Sequence, residues 1–469
     1  MSTTAEISAL ERINTLLDDN SFVEIGGLVK ARSTDFELAK RNTPADGVIT
    51  GYGTINSKLV YVYSQDVSVL GGSVGEMHAK KIVRIYDMAL KMGAPVVGLI
   101  DCAGLRLEEA TDALNAFAEI YKRQSMASGV IPQITAVFGK CGGGLSILTS
   151  LSDFTFMSDK GSLFVNSPNV LDGNYKEKND TSAVKFQSEN TENVDFAGTE
   201  EEVIEGIRSL VDIIPANNED DLSFEETSDD ANRVCEGLMG LKDDVQNLIA
   251  EISDENVFVE TKKEYATDAV TGFIRLNGST AGVVANNSNL LSVDGADKMA
   301  EFVRFCDAFS IPVVTFTNVT GFDTTIAQEK NLSKSLARLA AAFGEASVPK
   351  INVVVENAFG SAYTIMNSKG LGCDVVYAWP NTKIGMMDAD AAVKIIYANE
   401  IAKADDSVKE INDKAKEYAE LQLGANSAAS RGYVDSIIEP EDTRKYIIGA
   451  LEMLYTKREY VLDKKHGTV

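Results

Sequence analysis

Two short stretches of this 469-residue chain place backbone amides where they could do chemistry: Phe138-Gly139-Lys140-Cys141-Gly142-Gly143-Gly144-Leu145 and, far downstream, Asn357-Ala358-Phe359-Gly360-Ser361-Ala362-Tyr363. Each follows an apolar, β-rich run and precedes a segment able to form a helix, so each puts small residues at a strand-to-helix turn. The first amides of a helix have no intrahelical acceptor, and residues without bulk let a ligand atom approach them. Donors aimed at a developing negative charge in a dry, preorganised site are worth several kcal/mol. A thioester carbonyl becoming an enolate is one such charge, and a ureido oxygen releasing a carboxyl group is another. One turn for each suits transfer of a carboxyl group between two carriers, and no side-chain nucleophile is required.

Other uses of glycine-rich turns are weighed against this one. A tight packing corner needs glycine as much as a ligand site does. A phosphate loop of the GxxxxGK[ST] kind is absent, and neither turn has GxGxxG spacing. A serine nucleophile elbow, GxSxG with a histidine partner, is also absent.

The elements that must position the two turns recur in the same order. In the first half, Val48–Ile55 and Leu59–Ser64 read as a hairpin, Glu76–Met92 as a helix with Ile82, Ile85 and Ala89 on one side, and Pro95–Ile100 as a buried strand. A helix around Leu114, Phe117 and Tyr121 and a strand over Ile131–Phe138 then lead into the first turn. In the second half, Thr271–Leu276 and Thr280–Ala285 form the hairpin. Met299, Phe302, Val303 and Cys306 mark the helix, Pro312–Thr317 the strand, Leu332, Leu336, Leu339 and Phe343 the next helix, and Val348–Val355 the strand before the second turn. Spacing tests the repeat: 132 − 95 = 37 and 349 − 312 = 37 between the strand-leading prolines, and 143 − 132 = 11 and 360 − 349 = 11 from proline to glycine. An internal duplication of an α/β unit follows.

The boundaries expected are a first domain over 1–215, an acidic connector over 216–258 holding Asn217-Asn218-Glu219-Asp220-Asp221 and Glu225-Glu226-Thr227-Ser228-Asp229-Asp230, and a second domain over 259–469. Glu201–Ile214 reads as a helix ahead of the connector, and Gly432–Ile438 as an edge segment before a final helix.

Lysine and arginine number 44 against 70 aspartates and glutamates, a net charge of −26, which argues against nucleic acid or an anionic membrane as a direct partner. No apolar run reaches the roughly 20 residues that span a bilayer, and Met1-Ser2-Thr3-Thr4-Ala5-Glu6 has no basic region before an apolar one, so a cytoplasmic protein is expected. Five scattered cysteines, Cys102, Cys141, Cys235, Cys306 and Cys373, suggest neither a disulfide framework nor a metal site. Cys141 lies in the first turn, but His78 and His466 are the only histidines and neither is near it in sequence.

At the two turns and their flanks the chain resembles the carboxyltransferase family of biotin-dependent acyl-CoA carboxylases and decarboxylases, which includes propionyl-CoA carboxylase β, methylmalonyl-CoA decarboxylase α and transcarboxylase. The resemblance rests on Gly51-Tyr52-Gly53-Thr54-Ile55, Ser64-Gln65-Asp66, Gly71-Gly72-Ser73, Glu76-Met77-His78-Ala79-Lys80-Lys81, Asp101-Cys102-Ala103-Gly104, Ser128–Ile134 and Ser152–Met157. In the second half it rests on Phe302–Phe309, Val348-Pro349-Lys350, the Gly360 turn, Tyr377-Ala378-Trp379-Pro380 and Arg431–Asp435.

The resemblance implies an α/β fold of two tandem crotonase-like ββα-superhelix domains, the first on the acyl-CoA side and the second on the biotin side. The active site would form between the first domain of one subunit and the second of another. Gly143 and Gly144 would stabilise the thioester enolate; Ser361 and Ala362, beside Gly360, would hold the biotin ureido oxygen. Gly71, Gly72, Ala103, Gly104, Cys141, Tyr363 and Thr364 would line the substrate sites. It implies biotin attached to a partner, the biotin carboxyl carrier protein, with no metal. A biotin carboxylase or a membrane decarboxylase subunit would be a further partner, and the chain would form a homo-oligomer, a hexamer. His78 falls in a shared helix and is read as structural.

The chain departs from the family pattern in several places. Its N-terminal arm is shorter, Asn166-Ser167-Pro168 stands at a TGP-type turn, and Thr320-Gly321-Phe322 precedes an altered helix start at Asn331–Ala337. Ser361 replaces a glycine and Thr364 an aspartate. Two alternatives stay open beside the carboxyltransferase reading: a non-catalytic assembly subunit of a mixed complex, and a biotin-independent crotonase-type hydratase or isomerase using Glu108 and Glu109 as acid and base.

Overall fold

The computed structural model describes residues 7–32, 35–174, 178–220 and 224–459; Met1–Glu6, Asp221 and His466 lie outside them. The chain divides into two compact units, 1–223 and 224–469.

In the first unit the hairpin Val48–Ile55 and Lys58–Gln65 opens an eight-stranded sheet. Asn56 and Ser57, both at positive φ, make its turn. Outward from the hairpin run the parallel strands Val96–Cys102, Gln133–Gly142 and Phe154–Ser158, with short Val23–Glu24 and Phe196–Gly198 at the edges and Ser162–Phe164 continuing beside Gln133–Gly142. The helix Glu76–Met92 ends at Gly93 in the left-handed region, and it buries Ile82, Ile85 and Ala89 as its 3.6-residue period requires. The helix Ala110–Ala127 buries Ala113, Ala116, Phe117 and Ile120, while Leu114 is 56% exposed.

The second unit repeats this order. Ala269–Leu276 and Ser279–Asn286 form its hairpin, followed outward by Val313–Val319, Lys350–Phe359 and Val375–Ala378. Edges are Phe258–Thr261 and Ser436–Ile437, and Lys383–Gly385 continues beside Lys350–Phe359. The duplication extends to an irregularity of register. Ile100 pairs with Val137 and Cys102 with Cys141, while Thr317 pairs with Val354 and Val319 with Ala358. The offset is the same throughout, 317 − 100 = 354 − 137 = 319 − 102 = 358 − 141 = 217. Equivalent aspartates also hold the strand starts: Asp153 accepts from Gln133 N–H and Asp374 from Lys350 N–H, at 2.7 and 2.8 Å.

The expected connector is divided. Within it, Val245–Ile252 is a helix whose Val245, Leu248, Ile249 and Ile252 join the core of the second unit with Cys235 and Leu238. Its acidic neighbours have structural partners: Asp254 and Asp229 flank the fully buried guanidinium of Arg444 at 2.5 and 3.6 Å. Composition alone reads such a stretch as solvated, because burial of its apolar stripe depends on strands distant in sequence. All five cysteines are free and buried.

Candidate active site

The first turn is built at the carboxyl ends of parallel strands, where open α/β sheets place their ligands. The strand Gln133–Gly142 runs further than its apolar run suggests, because Ser162–Phe164 pairs with Lys140–Gly142. Gly143 then turns with φ 61° and ψ −125°, a conformation that a side chain would strain, before the helix Gly144–Ser150. No atom lies within 4 Å of where a Gly143 Cβ would stand, so that face of the turn is open. Its neighbours are glycines for the opposite reason. A Cβ on Gly142 would lie 2.7 Å from the Phe164 ring, and one on Gly144 2.6 Å from the Phe117 ring and 2.9 Å from the Tyr121 hydroxyl.

The Gly143 N–H, expected as an oxyanion donor, donates instead to Phe164 O at 2.9 Å, continuing the ladder between the two strands. The donors at the head of the following turn are Gly144 and Leu145, whose amides have no acceptor four residues back within the helix. Gly143 supplies the conformation of the turn, and Gly144 and Leu145 carry the amides at its head.

Four of the expected residues sit on two loops beside this turn. Cys102 pairs in register with Cys141, so Ala103 and Gly104 follow directly alongside Gly142 and Gly143. Ala103 N–H donates to Gly71 O at 2.9 Å, Val74 N–H to Gly104 O at 2.9 Å, and Gly104 N–H to Cys102 Sγ at 3.3 Å. Gly71, Gly72 and Gly104 take φ of 68°, 63° and 108°. Cys141 is buried in the core against Cys102 and Leu145, and burial pushes its thiol well up, so its contribution is through the backbone.

Beneath the loops lies a buried charge cluster that motif reading missed. Arg106, 2% exposed, donates to Asp46 Oδ1 at 2.6 Å, Glu109 Oε1 at 2.7 Å and Ser73 O at 2.8 Å. Glu109 Oε2 accepts from Glu76 N–H at 2.6 Å, and Asp46 Oδ2 from His78 N–H at 2.8 Å. Burial raises the Asp46 carboxyl against the opposing pull of Arg106. His78 is fully buried between Asp46 O and Gln65, and burial with the nearby Arg106 charge lowers it to about 3, so it is neutral and structural at physiological pH. Both Glu109 oxygens are engaged, and Glu108 pairs with Arg41 at 3.1 Å. Neither carboxylate is set as a free acid or base.

In the second unit Phe359 ends its strand, Gly360 takes φ 58° and the helix Gly360–Ile365 begins there. A Cβ on Gly360 would lie 3.1 Å from Met386 O. Ser361 and Thr364 are exposed, Ala362 is 1% exposed, and Thr364 Oγ1 donates back to Gly360 O at 3.1 Å. The Tyr363 hydroxyl is buried with no hydrogen-bond partner, and burial pushes it up to about 12. Behind the turn, Asn318 Oδ1 accepts from Asn357 N–H at 3.1 Å and its Nδ2 donates to Glu356 Oε2 at 3.1 Å; Glu356 also takes Lys242 Nζ at 2.5 Å. At the equivalent place in the first unit (318 − 217 = 101), Asp101 accepts from Arg12, which also bonds Glu200 at 2.8 Å.

Among the described residues no cluster of histidine, cysteine, aspartate or glutamate could hold a metal ion, and no helix is long and apolar enough to cross a membrane.

Comparison with known proteins places this geometry. Residues 4–469 match the family described as Carboxyl transferase domain. The chain is 38% identical to the propionyl-CoA carboxylase carboxyltransferase subunit of Haloferax mediterranei, covering 99% of this chain and 93% of that protein. It is 39% identical, with the same coverage, to methylmalonyl-CoA decarboxylase subunit alpha of Veillonella parvula. The crystal structure of transcarboxylase 12S, a hexamer assembly with methylmalonyl-coenzyme A and methylmalonic acid bound, superposes with a TM-score of 0.94 at 37% identity, over 98% of this chain and 92% of that one.

Proposed function

The chain belongs to the carboxyl transferase domain family, and on that premise we propose that it moves a carboxyl group between biotin on a carrier protein and a short acyl-CoA of the propionyl/methylmalonyl type. The observation that carries the reading is the duplicated strand-end turn, Gly143 at φ 61° and Gly360 at φ 58°, at the same place in two copies of one sheet. When a carboxyl group leaves the α-carbon of the acyl chain, the electron pair of the broken bond passes into the thioester carbonyl. The oxygen becomes an enolate oxygen, and the Gly144 and Leu145 amides are donors suited to it. The open space over Gly143 gives the thioester its approach.

The residues of the second turn fit a ureido group. Ser361 and Ala362 amides head the helix, and Gly360 keeps the turn clear of Met386 O. Biotin, when bound, supplies the ureido nitrogen that takes or releases the carboxyl group. The partners on this reading are the acyl-CoA, a biotin carboxyl carrier protein and a biotin carboxylase or membrane decarboxylase subunit. The chain would act as a cytoplasmic hexamer. The hydratase or isomerase alternative loses its acid and base, since Glu109 is locked by Arg106 and Glu76 N–H.

The test is a decarboxylation assay of the purified full chain with methylmalonyl-CoA and free biotin or a biotinylated carrier, following propionyl-CoA and carbon dioxide. Biotin-dependent turnover is expected. No turnover with any short acyl-CoA, together with binding to a related subunit, would favour the assembly-subunit alternative.

A further inference from the structure

The Tyr121 hydroxyl donates to the Gly144 carbonyl at 2.5 Å. That oxygen belongs to the peptide whose N–H is that of Leu145, one of the two donors at the head of the first turn. A hydrogen bond into a peptide carbonyl draws electron density off the peptide nitrogen and strengthens its N–H as a donor, by roughly 10–30% per bond in a chain of such bonds. Tyr121 sits on the helix Ala110–Ala127 with its ring against Phe117, centroids 5.0 Å apart. The same aromatic pair fills the space a Gly144 side chain would need, so it sets both the shape of the turn and the polarity of its peptide. Burial raises the phenol above its ordinary value, which keeps the hydroxyl a proton donor at neutral pH. In the second unit the helix Leu332–Glu345 buries Leu332, Ser335, Leu339 and Phe343 where the first buries Ala113, Ala116, Ile120 and Gln124, an offset of 219, so the places of Phe117 and Tyr121 fall to Leu336 and Ala340, and neither carries a hydroxyl.

We propose that Tyr121 is a positioning residue of the first turn, polarising the Gly144–Leu145 peptide so that the Leu145 N–H holds the thioester oxygen more strongly as negative charge develops on it. The inference rests on the reading of that turn as the acyl-CoA oxyanion site. Tyr121→Phe removes only the hydroxyl and leaves the ring on Phe117, so the fold is expected to be kept, with a loss of stability no larger than that of one hydrogen bond.

Two measurements on the full chain test it. With propionyl-CoA carrying a 13C-labelled thioester carbonyl, the infrared carbonyl band is expected to move to lower frequency on binding to the wild-type chain, and to move less on binding to Tyr121→Phe. In decarboxylation of methylmalonyl-CoA, kcat is expected to fall about three- to ten-fold in the variant with KM almost unchanged, a split that loosened packing would not produce. An equal band shift and equal kcat in the two proteins overturn the role of Tyr121. Absence of propionyl-CoA binding to the wild-type chain overturns instead the acyl-CoA reading on which it rests.

Discussion

The two units share a backbone and differ in what holds the loop beside each turn. In the first, Val74 and Leu105 bridge the loops, and the buried Asp46–Arg106–Glu109 cluster ties them to the sheet. In the second, the cognate bridge is Leu290–Leu291 against Gly321–Phe322, but the position of Arg106 is taken by Asp323 (106 + 217 = 323). The helix-start amide that Glu109 caps in the first unit, Glu76 N–H, corresponds to Val293 N–H, which the neutral Gln328 side chain caps at 2.6 Å. What survived duplication is the hydrogen-bonded frame; what diverged is the charge beneath it. On the proposed reading, the loop tied down by a buried ion cluster would orient the thioester. On the same reading, the more exposed loop would receive the ligand brought by a carrier.

The largest effect should come from the cluster itself. Arg106→Gln leaves Asp46 and Glu109 buried without their cation and is expected to lower unfolding stability by about 3–5 kcal/mol in urea denaturation. Asp323→Asn, at the cognate position, removes a charge from a partly exposed loop while its Oδ1 can still accept from Thr325 N–H, and should change stability by less than about 1 kcal/mol. Equal losses in the two would erase the distinction drawn between the units.

The turns themselves give the next contrast. Gly144→Ala drives a methyl into Phe117 and Tyr121 and moves the donor. Its kcat for carboxyl transfer should fall by about 10²–10³, the scale for losing one oxyanion donor. At the cognate residue, Ser361→Gly removes an exposed hydroxyl and should change kcat by less than about three-fold. A larger loss at Ser361 would show that its side chain takes part.

The last contrast is read on the acid limb. His78 is held near 3 in the fold against an ordinary 6.5, so between those values the unfolded chain binds a proton that the folded chain does not. Stability contributed by this group is present above pH 6.5 and lost as pH falls toward 3. Denaturation measured across that range should fall less steeply for His78→Gln than for the wild type, by at most about 1.4 kcal/mol per pH unit. The cognate residue is Gly295 (78 + 217 = 295), so no matching loss is expected from the second unit. Parallel slopes in the two proteins would count against a neutral, buried His78.

Much of the frame was legible because its signals are local. Hairpins announced by Asn56-Ser57 and Asn277-Gly278, the helix Glu76–Met92 and the repeated proline-to-glycine interval all appear where spacing and periodicity placed them. Gly71, Gly72, Ala103, Gly104, Gly143 and Gly144 do gather at one set of strand ends. The connector reading failed for Val245–Ile252 because acidic neighbours masked an apolar stripe whose partners, such as Val270 and Ile351, lie far along the chain.

By itself, then, the sequence determined that one α/β unit is present twice and that each copy ends in a small-residue turn, since both follow from residue types and intervals within a few tens of positions. Only the tertiary structure decided which amides those turns leave for a ligand, because the Gly143 N–H is claimed by Phe164, a strand partner 21 residues on (164 − 143 = 21). It alone joined Asp46 to Arg106 across 60 residues and set Tyr121 on the Gly144 carbonyl. Register and burial act between segments, and their energy is not carried by any one of them.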